Sequence, residues 1–334
     1  MANLKLKFAS QNYDRMRPIF DKSVTAEGCD IEWEDIFPAN TWDRLFVNGD
    51  FDISELGLTF YLRSLEMAEP PFIAIPVFPA RTFRLSAIYV NANAGIREPK
   101  DIIGKKHGEV FTYGHDGGIW PKGILHDHHG VPYNSHSGPF YVGGVDRPWH
   151  EWKWLPVKAP ASARVEHVGT AKSLGDMLEK GEIEVLYSTV CPPTFAAGSK
   201  NVRRLFDDIE RRERKYYADT GIFPIMHIMA IRRPLYEKNR WLAAALYKAF
   251  NDAKNKVLAG YNARAENLHG SLMLPLVTEH HHEIKNLMGE DYWPYGIEKN
   301  RKALETFLRY HHEQGLSKKV WKLEDIFAEE TLRL

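Results

Sequence analysis

The chain has 334 residues, of which 44% are hydrophobic and 26% charged, a composition typical of a water-soluble globular protein. This length exceeds the size at which a single hydrophobic core usually stops growing, so two lobes are expected. The 44 basic residues balance the 44 acidic ones, which argues against nucleic acid or an anionic membrane as a partner.

The N-terminal sequence MANLKLKFAS lacks the basic region, apolar stretch and small-residue cleavage site of a secretory signal. No window approaches about 18 consecutive apolar residues, so no membrane-spanning segment is expected. The two cysteines, Cys29 and Cys191, lie far apart and outside metal or redox spacings, which favours a reducing compartment. The sequence therefore predicts a cytoplasmic protein.

The first ninety residues alternate between strand and helix patterns. Alternating or short continuous apolar runs predict strands at 4–10 (LKLKFAS), 29–36 (CDIEWEDI), 51–57 (FDISELG), 71–78 (PFIAIPVF) and 84–91 (RLSAIYVN). Helical patterns predict one helix at 40–49, which Gly49 ends as a C-cap, and another at 58–67.

The remaining two thirds continue this alternation and then become mainly helical. Residues 95–110 predict a loop, a short helical turn and a strand, followed by a helix at 117–130 that Pro121 interrupts early and Gly130 ends. The later predictions are a long ordered loop at 131–163, a strand–helix–strand unit at 163–169, 173–182 and 183–190, a strand at 221–233, one long amphipathic helix at 234–261 and a helical tail. Such alternation is typical of an α/β fold with mostly parallel sheets.

The stretch TGIFPIMHIMAIRR, from Thr220 to Arg233, is almost wholly apolar except for His227. Burying an imidazole nitrogen without a partner costs roughly 1–3 kcal/mol. His227 must therefore either bind a structural neighbour or face a cavity. The pattern alone leaves both alternatives open.

Three segments carry a resemblance to a known family: 51–65 (FDISELGLTFYLRSL), 71–108 (PFIAIPVFPARTFRLSAIYVNANAGIREPKDIIGKKHG) and 216–250 (YYADTGIFPIMHIMAIRRPLYEKNRWLAAALYKAF). They are similar to the 4,5-dihydroxyphthalate decarboxylases, whose members resemble group-II periplasmic binding proteins in fold. The similarity covers most of residues 3–310 and is weakest at 131–165.

The resemblance implies a periplasmic-binding-protein type II-like fold, with two α/β lobes, two crossover strands and a central ligand cleft. Lobe one would comprise residues 1–95 plus 230–334, and lobe two residues 96–229. Strands 84–91 and 221–233 would be the crossovers. His227 would then lie at the hinge, beside the cleft, where ligands of open α/β sheets bind.

The activity that the resemblance implies is that of a carboxy-lyase in aromatic compound catabolism. It would remove CO₂ non-oxidatively from 4,5-dihydroxyphthalate or a close relative by protonating the ring carbon. The phenol para to the leaving carboxylate supplies the electrons, so no organic cofactor is expected. The proton donor should titrate near the working pH, which favours histidine or a carboxylic acid of raised pKa.

Four residues are candidate acid–base groups of this cleft. His227 lies at the hinge, Glu55 follows a strand end, and His115 and Asp116 lie where TYGHDGGIW turns from strand into helix. Capping of a helix remains an alternative for Asp116, and a solvent-facing helix charge remains one for Glu55.

Two arginines, Arg81 and Arg84 of PARTFR, are candidates to bind a substrate carboxylate, with surface ion pairs as the alternative. Further substrate-binding candidates follow strand ends or open the helix after residue 115, and they are Ser10, Tyr13, Tyr113, Trp120, Tyr187, Ser188 and Thr189. Simple packing is the alternative for Tyr187 and Trp120.

Histidine-rich stretches occur at 126–130 (HDHHG) and 279–286 (EHHHEIKN). Neither contains the HExxH arrangement, and no distant partner is evident, so we interpret both as solvated helix faces and predict no metal site there. A divalent metal in the cleft, bound by His227 and a carboxylate, is an open alternative.

Other interpretations also remain open. The aromatic-rich segment at 141–154 and the His115–Asp116 pair depart from the family pattern, which leaves room for a different aromatic acid as substrate. The fold class also serves solute-binding or sensing proteins for aromatic carboxylates, although those that serve transporters need an export signal. Exposed aromatic residues at 131–160 would favour a homo-oligomer.

Overall fold

The computed structural model describes residues 2–152, 154, 158–266 and 275–334. Its strands are β1 (Leu4–Ser10), β2 (Cys29–Asp35), β3 (Ile53–Gly57), β4 (Phe72–Ile75), β5 (Ile88–Asn91), β6 (His107–Val110), β7 (Phe140–Gly143), β8 (Val165–His167), β9 (Val185–Tyr187), β10 (Val202–Arg204) and β11 (His227–Arg232). Its α-helices are α1 (Arg17–Phe20), α2 (Pro38–Asp43), α3 (Leu58–Ser64), α4 (Asp116–His129), α5 (Leu174–Glu179), α6 (Pro193–Ala196), α7 (Ile209–Thr220), α8 (Arg233–Lys238), α9 (Trp241–Glu266), α10 (Val277–Met288), α11 (Arg301–Glu313) and α12 (Leu323–Ile326).

Within the described residues the strands form two sheets, ordered β2-β1-β3-β11-β4 and β10-β5-β9-β6-β7-β8. In the first sheet β1 runs parallel to β2 and β3, whereas β11 is antiparallel to β3 and β4. In the second sheet β6 to β9 pair in parallel, and β5 and β10 join in antiparallel fashion. The two-lobed α/β prediction is confirmed. The sheets are more mixed than predicted, because β11 in the first sheet and β5 in the second run antiparallel to both of their neighbours.

Two segments carry the chain between the sheets, residues 76–87 after β4 and residues 221–226 before β11. They run antiparallel to each other, with Arg81 paired to Ile225 and the Met226 amide donating to the Ala80 carbonyl at 2.9 Å. Strand β5 belongs to the second sheet, although the predicted first lobe extends to residue 95. The lobe boundaries themselves stay a prediction.

The segment at 131–163 is not a continuous loop, contrary to the prediction. Strand β7 lies within it and pairs in parallel with β6 and β8. A strand of four residues is too short to show a recognisable alternation, which explains the error. Residues 153 and 155–157 of this segment, and residues 267–274 of the predicted helical tail, lie outside the described residues.

Two helix predictions also need correction. The single helix expected at 234–261 is divided into α8 and α9 at Asn239, whose side-chain amide donates to the Leu235 carbonyl at 3.0 Å. Asparagine competes with the helical backbone in this way. Helix α4 continues through Pro121 to His129, and the Gly130 cap, with φ 65°, ends it as predicted. Pro121 removes one backbone donor without ending the helix.

The C-terminal part of the chain returns to pack on α4. Helix α11 lies against α4, where the Tyr310 hydroxyl donates to Asp127 at 2.8 Å and the Gln314 amide donates to the Ile119 carbonyl at 3.0 Å. One hydrophobic cluster includes buried residues of both sheets, such as Phe8 and Val185. No helix within the described ranges is long and apolar enough to cross a membrane.

Candidate active site

A cavity of about 310 Å³ lies where the two crossing segments meet the ends of both sheets. Its walls include Tyr13 and Trp42 from the first lobe, Phe111 and Thr189 from the second, and Arg84 from the first crossing segment. This volume lies at the lower end of the range of small-molecule sites, roughly 300–1,000 Å³.

His227 lies at this cavity and binds Glu55, its Nδ1 being 2.6 Å from Glu55 Oε1. The register of β11 against β3 pairs His227 with Gly57 and Met229 with Glu55. Because residues two apart share a face, His227 and Glu55 are diagonal neighbours on one face of the sheet. The imidazole is 16% exposed and the carboxylate 1%, so the pair is anchored in the sheet while the ring reaches the cavity.

Glu55 accepts additional hydrogen bonds from the first lobe. The Tyr13 hydroxyl donates to Oε1 at 2.8 Å, and the Ser10 hydroxyl donates to Oε2 at 3.0 Å. Burial alone would raise the pKa of Glu55, but the hydrogen bond and charge of His227, with the hydroxyl donors, lower that pKa below its ordinary value. Ser10 therefore holds the carboxylate, and Tyr13 both holds it and lines the cavity.

A second histidine–carboxylate pair enters the cavity from the other lobe. His115 is the N-cap residue of α4, and its Nδ1 lies 2.9 Å from Oε1 of Glu109 in β6. The other oxygen, Oε2, accepts a hydrogen bond from Lys122 Nζ at 2.7 Å. The sequence pattern indicated His115 but not Glu109 or Lys122. A charged residue within a buried strand was the available signal, because such a residue needs a partner.

Asp116 links the two lobes next to these pairs. Its Oδ1 accepts a hydrogen bond from the Thr59 amide at 2.8 Å, so it caps helix α3 of the first lobe rather than its own helix. Burial raises the pKa of Asp116, although the charges of His227 and His115 oppose the shift. Asp116 is therefore a helix cap, as the alternative for it proposed, but the helix that it caps belongs to the other lobe.

The two arginines have different surroundings. Arg84 lines the cavity, is partly exposed, and uses Nε to contact the Met226 sulfur at 3.1 Å. Arg81 also reaches the cavity, but its guanidinium donates to the backbone carbonyls of Pro294 and Phe223 at 3.1 and 2.8 Å. Burial lowers the pKa of Arg84 to about 10 and that of Arg81 to about 9, so both stay cationic near neutral pH. Arg84 is the better placed to meet a substrate anion.

Four predicted substrate-binding residues lie elsewhere. Trp120 is fully buried and donates to the Ile225 carbonyl at 2.8 Å, and Tyr187 is buried with its ring parallel to that of Phe140. Ser188 is buried and donates to the Val190 carbonyl at 2.6 Å. Tyr113 is buried and faces a different cavity. Packing thus accounts for Trp120 and Tyr187, whereas Thr189 does line the site.

Aromatic side chains that the sequence did not indicate form one wall of the cavity. Trp42 meets His227 edge-on at 5.6 Å, and Phe111 packs against Trp149 and Trp152 at 4.9 and 5.5 Å. Phe111 has a positive φ of 65°, a strained conformation for a bulky residue and one that is common at functional sites. The described aromatic residues of the 141–154 segment are buried or partly buried, so the expected exposed aromatic surface is not seen there. A homo-oligomer stays a prediction.

The histidine-rich stretches lie on outer surfaces. His126 stacks on Tyr133, next to Asp127, which binds Arg309. Residues Glu210, His280 and Glu283 come together at the surface. The Arg214 guanidinium lies 2.9 Å from Glu210 and 2.8 Å from Glu283, so an arginine already neutralises this cluster.

Comparison with solved structures defines the class of the protein. The periplasmic sulfonate-binding protein SsuA of Methylobacillus flagellatus superposes with a TM-score of 0.53 over 97% of this chain and 91% of that one, at 12% identity. The alkanesulfonate-binding protein SsuA of Xanthomonas axonopodis pv. citri gives 0.51 over 99% and 98%, at 11% identity. These similarities show the fold alone. The chain is a two-lobed α/β protein of periplasmic-binding-protein type with histidine–carboxylate pairs in its central cavity.

Sequence comparison defines the family. The 4,5-dihydroxyphthalate decarboxylase of Comamonas testosteroni is 32% identical over 327 residues, which span 98% of this chain and 97% of the relative. The Pseudomonas putida protein of the same name is 31% identical over 217 residues, 65% of this chain and 83% of the relative. No family profile matches the chain. The chain belongs to the 4,5-dihydroxyphthalate decarboxylase family.

Proposed function

We propose that this protein decarboxylates 4,5-dihydroxyphthalate or a closely related hydroxylated aromatic acid by protonating the ring carbon that bears the carboxylate. The observation that carries the proposal is the His227–Glu55 pair, with a contact of 2.6 Å, at the wall of a cavity that also contains Arg84. The relatives named as decarboxylases of this substrate support the same reaction.

Arg84 supplies the attraction for an aromatic dicarboxylate. A guanidinium binds a carboxylate with two parallel hydrogen bonds. In the part of the chain that the structure describes, the Arg84 guanidinium contacts the Met226 sulfur and donates to no backbone carbonyl. Trp42 and Phe111 give the cavity aromatic surfaces against which a ring can pack. This arrangement suits a flat, anionic ligand.

His227 is placed to donate the proton. The ionised Glu55 accepts the hydrogen bond from Nδ1–H, which leaves Nε2 to carry the exchangeable proton toward the cavity. Once the phenol para to the departing carboxylate has lost its proton, its electron pair moves into the ring and the carboxylate-bearing carbon takes the proton from His227. The carbon–carboxylate bond then breaks, and its electron pair restores the aromatic ring as CO₂ leaves. The substrate ring accepts and returns every electron pair, so the proposal includes no organic cofactor.

A CO₂-release assay with 4,5-dihydroxyphthalate tests the proposal. The expected products are CO₂ and 3,4-dihydroxybenzoate, and in D₂O the product should carry one deuterium at the vacated carbon. His227→Asn keeps an amide that can bind Glu55, so it should fold normally yet lose about 10²–10⁴-fold in kcat. His282→Asn, at an exposed position, is the matched control. Repeating the assay with a chelator tests for metal dependence.

The competing function is a receptor for an aromatic carboxylate, which the similarity in fold to sulfonate-binding proteins favours. Tight binding of a hydroxylated aromatic acid without CO₂ release from any member of a panel of such acids would establish the receptor. Full turnover by His227→Asn with a lowered Tm would instead show that this histidine only stabilises the fold.

A further inference from the structure

Two histidine–carboxylate pairs face one cavity, and the proposed reaction needs two proton transfers. We propose that His115, held by Glu109 and Lys122, takes the proton of the phenol para to the departing carboxylate while His227 protonates the ring carbon. This assignment rests on the proposed decarboxylation. His115 is then a catalytic residue, and Glu109 and Lys122 are positioning residues.

Glu109 fixes both the orientation and the tautomer of His115. One carboxylate oxygen, Oε1, accepts from the Gly114 amide at 2.8 Å, the His115 amide at 3.1 Å and His115 Nδ1 at 2.9 Å. Burial alone would raise the pKa of Glu109, but the Lys122 charge and the bond from His115 lower it. An ionised carboxylate only accepts hydrogen bonds, so Nδ1 carries a hydrogen, and in the neutral ring that acts as a base Nε2 carries the lone pair.

The lone pair of His115 has no hydrogen-bond partner within the described part of the chain. His115 is 6% exposed, and its Nε2 is buried without a donor. An acceptor left in this state costs roughly 1–3 kcal/mol. Because the residue lines the cavity, a ligand hydroxyl is the donor that would satisfy it.

The local backbone is built around this contact. A Cβ added at Gly118 would lie 2.0 Å from Glu109 Oε1, and one added at Gly117 would lie 2.9 Å from His115 Nε2. Glycine at both positions therefore lets Glu109 and His115 approach the first turn of α4. Lys122, 4% exposed as a side chain, balances a carboxylate that would otherwise be an unpaired buried charge.

The charges next to the two pairs differ, and this difference assigns the roles. Lys122 donates to Glu109 at 2.7 Å, so this carboxylate is shared between a cation and His115. Among the described residues, Glu55 accepts hydrogen bonds from His227 and from neutral groups, the Tyr13 and Ser10 hydroxyls and the Gln11 amide. No lysine or arginine of the described residues competes with His227 for this carboxylate. Asp116 interacts with both imidazoles, more strongly with His227 than with His115, and also with Arg84.

The proton balance of the cycle is closed. His115 Nε2 removes the phenol proton, and His227 Nε2 gives its proton to the ring carbon. After the carbon–carboxylate bond breaks, the ring oxygen is again a phenolate and recovers a proton from His115. The net change is one proton from water, through His227, in place of CO₂.

The test compares His115→Gln with His227→Asn on two substrates. Glutamine keeps a donor for Glu109 but supplies no base, so kcat should fall on the order of 10²–10⁴-fold. An analogue of 4,5-dihydroxyphthalate with fluorine next to the para hydroxyl ionises more readily. On that analogue the fold-loss of His115→Gln should shrink by about tenfold or more, whereas the fold-loss of His227→Asn should stay the same.

A double variant extends the test to the positioning residues without leaving a buried charge unpaired. Glu109→Gln combined with Lys122→Met should also lose kcat, with a smaller fold-loss on the fluorinated analogue. His126→Gln, on the exposed end of the same helix, should match the wild type on both substrates, and Tm is measured for every variant.

Equal fold-losses of His115→Gln on the two substrates would overturn the assignment of His115 as the base. Fold-losses of the double variant that do not depend on the substrate, with a lowered Tm, would show that Glu109 and Lys122 only support the fold. A wild-type protein that releases no CO₂ from either acid would overturn the proposed decarboxylation and this assignment together.

Discussion

At the scale of single residues, Arg81 and Arg84 show how context separates two identical side chains three positions apart. Arg81 ties the first crossing segment to the carbonyls of Pro294 and Phe223. Arg84 contacts the Met226 sulfur through Nε, interacts with the charges of Asp116 and Glu213, and faces the cavity. The first arginine therefore stabilises the fold, and the second is available to a ligand.

This difference leads to opposite expectations for the two substitutions. Arg84→Gln should raise KM roughly 10–100-fold, because a hydrogen-bonded ion pair with a carboxylate contributes about 1.5–3 kcal/mol, with little change in Tm. Arg81→Gln should lower Tm more than it changes KM. Arg211→Gln, whose side chain is 76% exposed, is the control for loss of a positive charge. An unchanged KM for Arg84→Gln would place the substrate carboxylate elsewhere.

The site residues that the sequence indicated are those whose type conflicts with the segment around them. His227 was evident because it interrupts an apolar run. Its partner Glu55, expected just after a strand end, lies within β3. Their contact joins residues 172 positions apart, which only the strand register determines. The charged Glu109 within strand β6 was a signal that went unused, whereas Lys122 becomes informative only when the fold buries it beside Glu109.

At the scale of elements, helix α4 connects the site to the rest of the molecule. Its first residues carry His115 and Asp116, its middle is anchored by the bond from Trp120 to the Ile225 carbonyl, and its outer face packs on α11. Glycine at position 123 makes that packing possible, because a Cβ there would lie 2.2 Å from the Tyr310 ring.

A pair of glycine substitutions tests this packing. Gly123→Ala should destabilise the protein by about 1–3 kcal/mol, because an added methyl overpacks the contact between α4 and α11. Gly260→Ala, inside α9 with no described residue within 4 Å of the added Cβ, should instead stabilise by up to about 1 kcal/mol through helix propensity. Urea unfolding measures both. Equal effects of the two substitutions would show that α11 does not constrain α4.

The ends of helices and strands were predictable only where residues close in the sequence determine them. The helix ends at Gly49 and Gly130, with φ of 70° and 65°, were predicted because an αL residue ends a helix by itself. Gly49 ends the π-helical turn Arg44–Asn48 that continues α2. Strand β7 was not predicted, because its pairing with β6 and β8 depends on residues far away in the sequence. Pro121 was given too much weight, since tertiary contacts hold α4 together around it.

At the scale of the whole molecule, the lobes are held together by more than their two crossing segments. Asp116 caps α3, and the Thr59 hydroxyl donates to the Gly114 carbonyl at 2.8 Å. Helix α11 adds contacts to the far side of α4. A cavity whose two lobes are joined by hydrogen bonds and helix packing suits chemistry that needs a fixed geometry. The two-lobed fold was predictable from its strand–helix order and family resemblance, whereas these cross-links depend on contacts that no short segment reveals.

The buried histidines make the stability of this molecule depend on pH. His107 in β6 is 2% exposed and lies 2.9 Å from the Ile102 carbonyl, and burial lowers its pKa from 6.5 to about 4. Below pH 6.5 His107 is protonated in the unfolded chain but stays neutral in the folded chain, which favours unfolding. The contribution of His107 to the free energy of unfolding is therefore complete above pH 6.5 and is lost as pH falls toward 4. Since one pKa unit corresponds to about 1.4 kcal/mol, His107 alone should cost about 3 kcal/mol near pH 4.

Urea unfolding of the wild type and of His107→Gln between pH 7.5 and 4.5 measures this effect. Glutamine keeps a donor for the Ile102 carbonyl but takes up no proton, so the variant should lose less stability on acidification. Carboxylates of lowered pKa, such as Glu55 and Glu109, act mainly below their ordinary value of 4.5 and leave most of this window to histidine. The exposed His282→Gln should follow the wild type. If His107→Gln loses as much stability on acidification as the wild type, the low pKa of His107 does not determine the stability of the fold at acid pH.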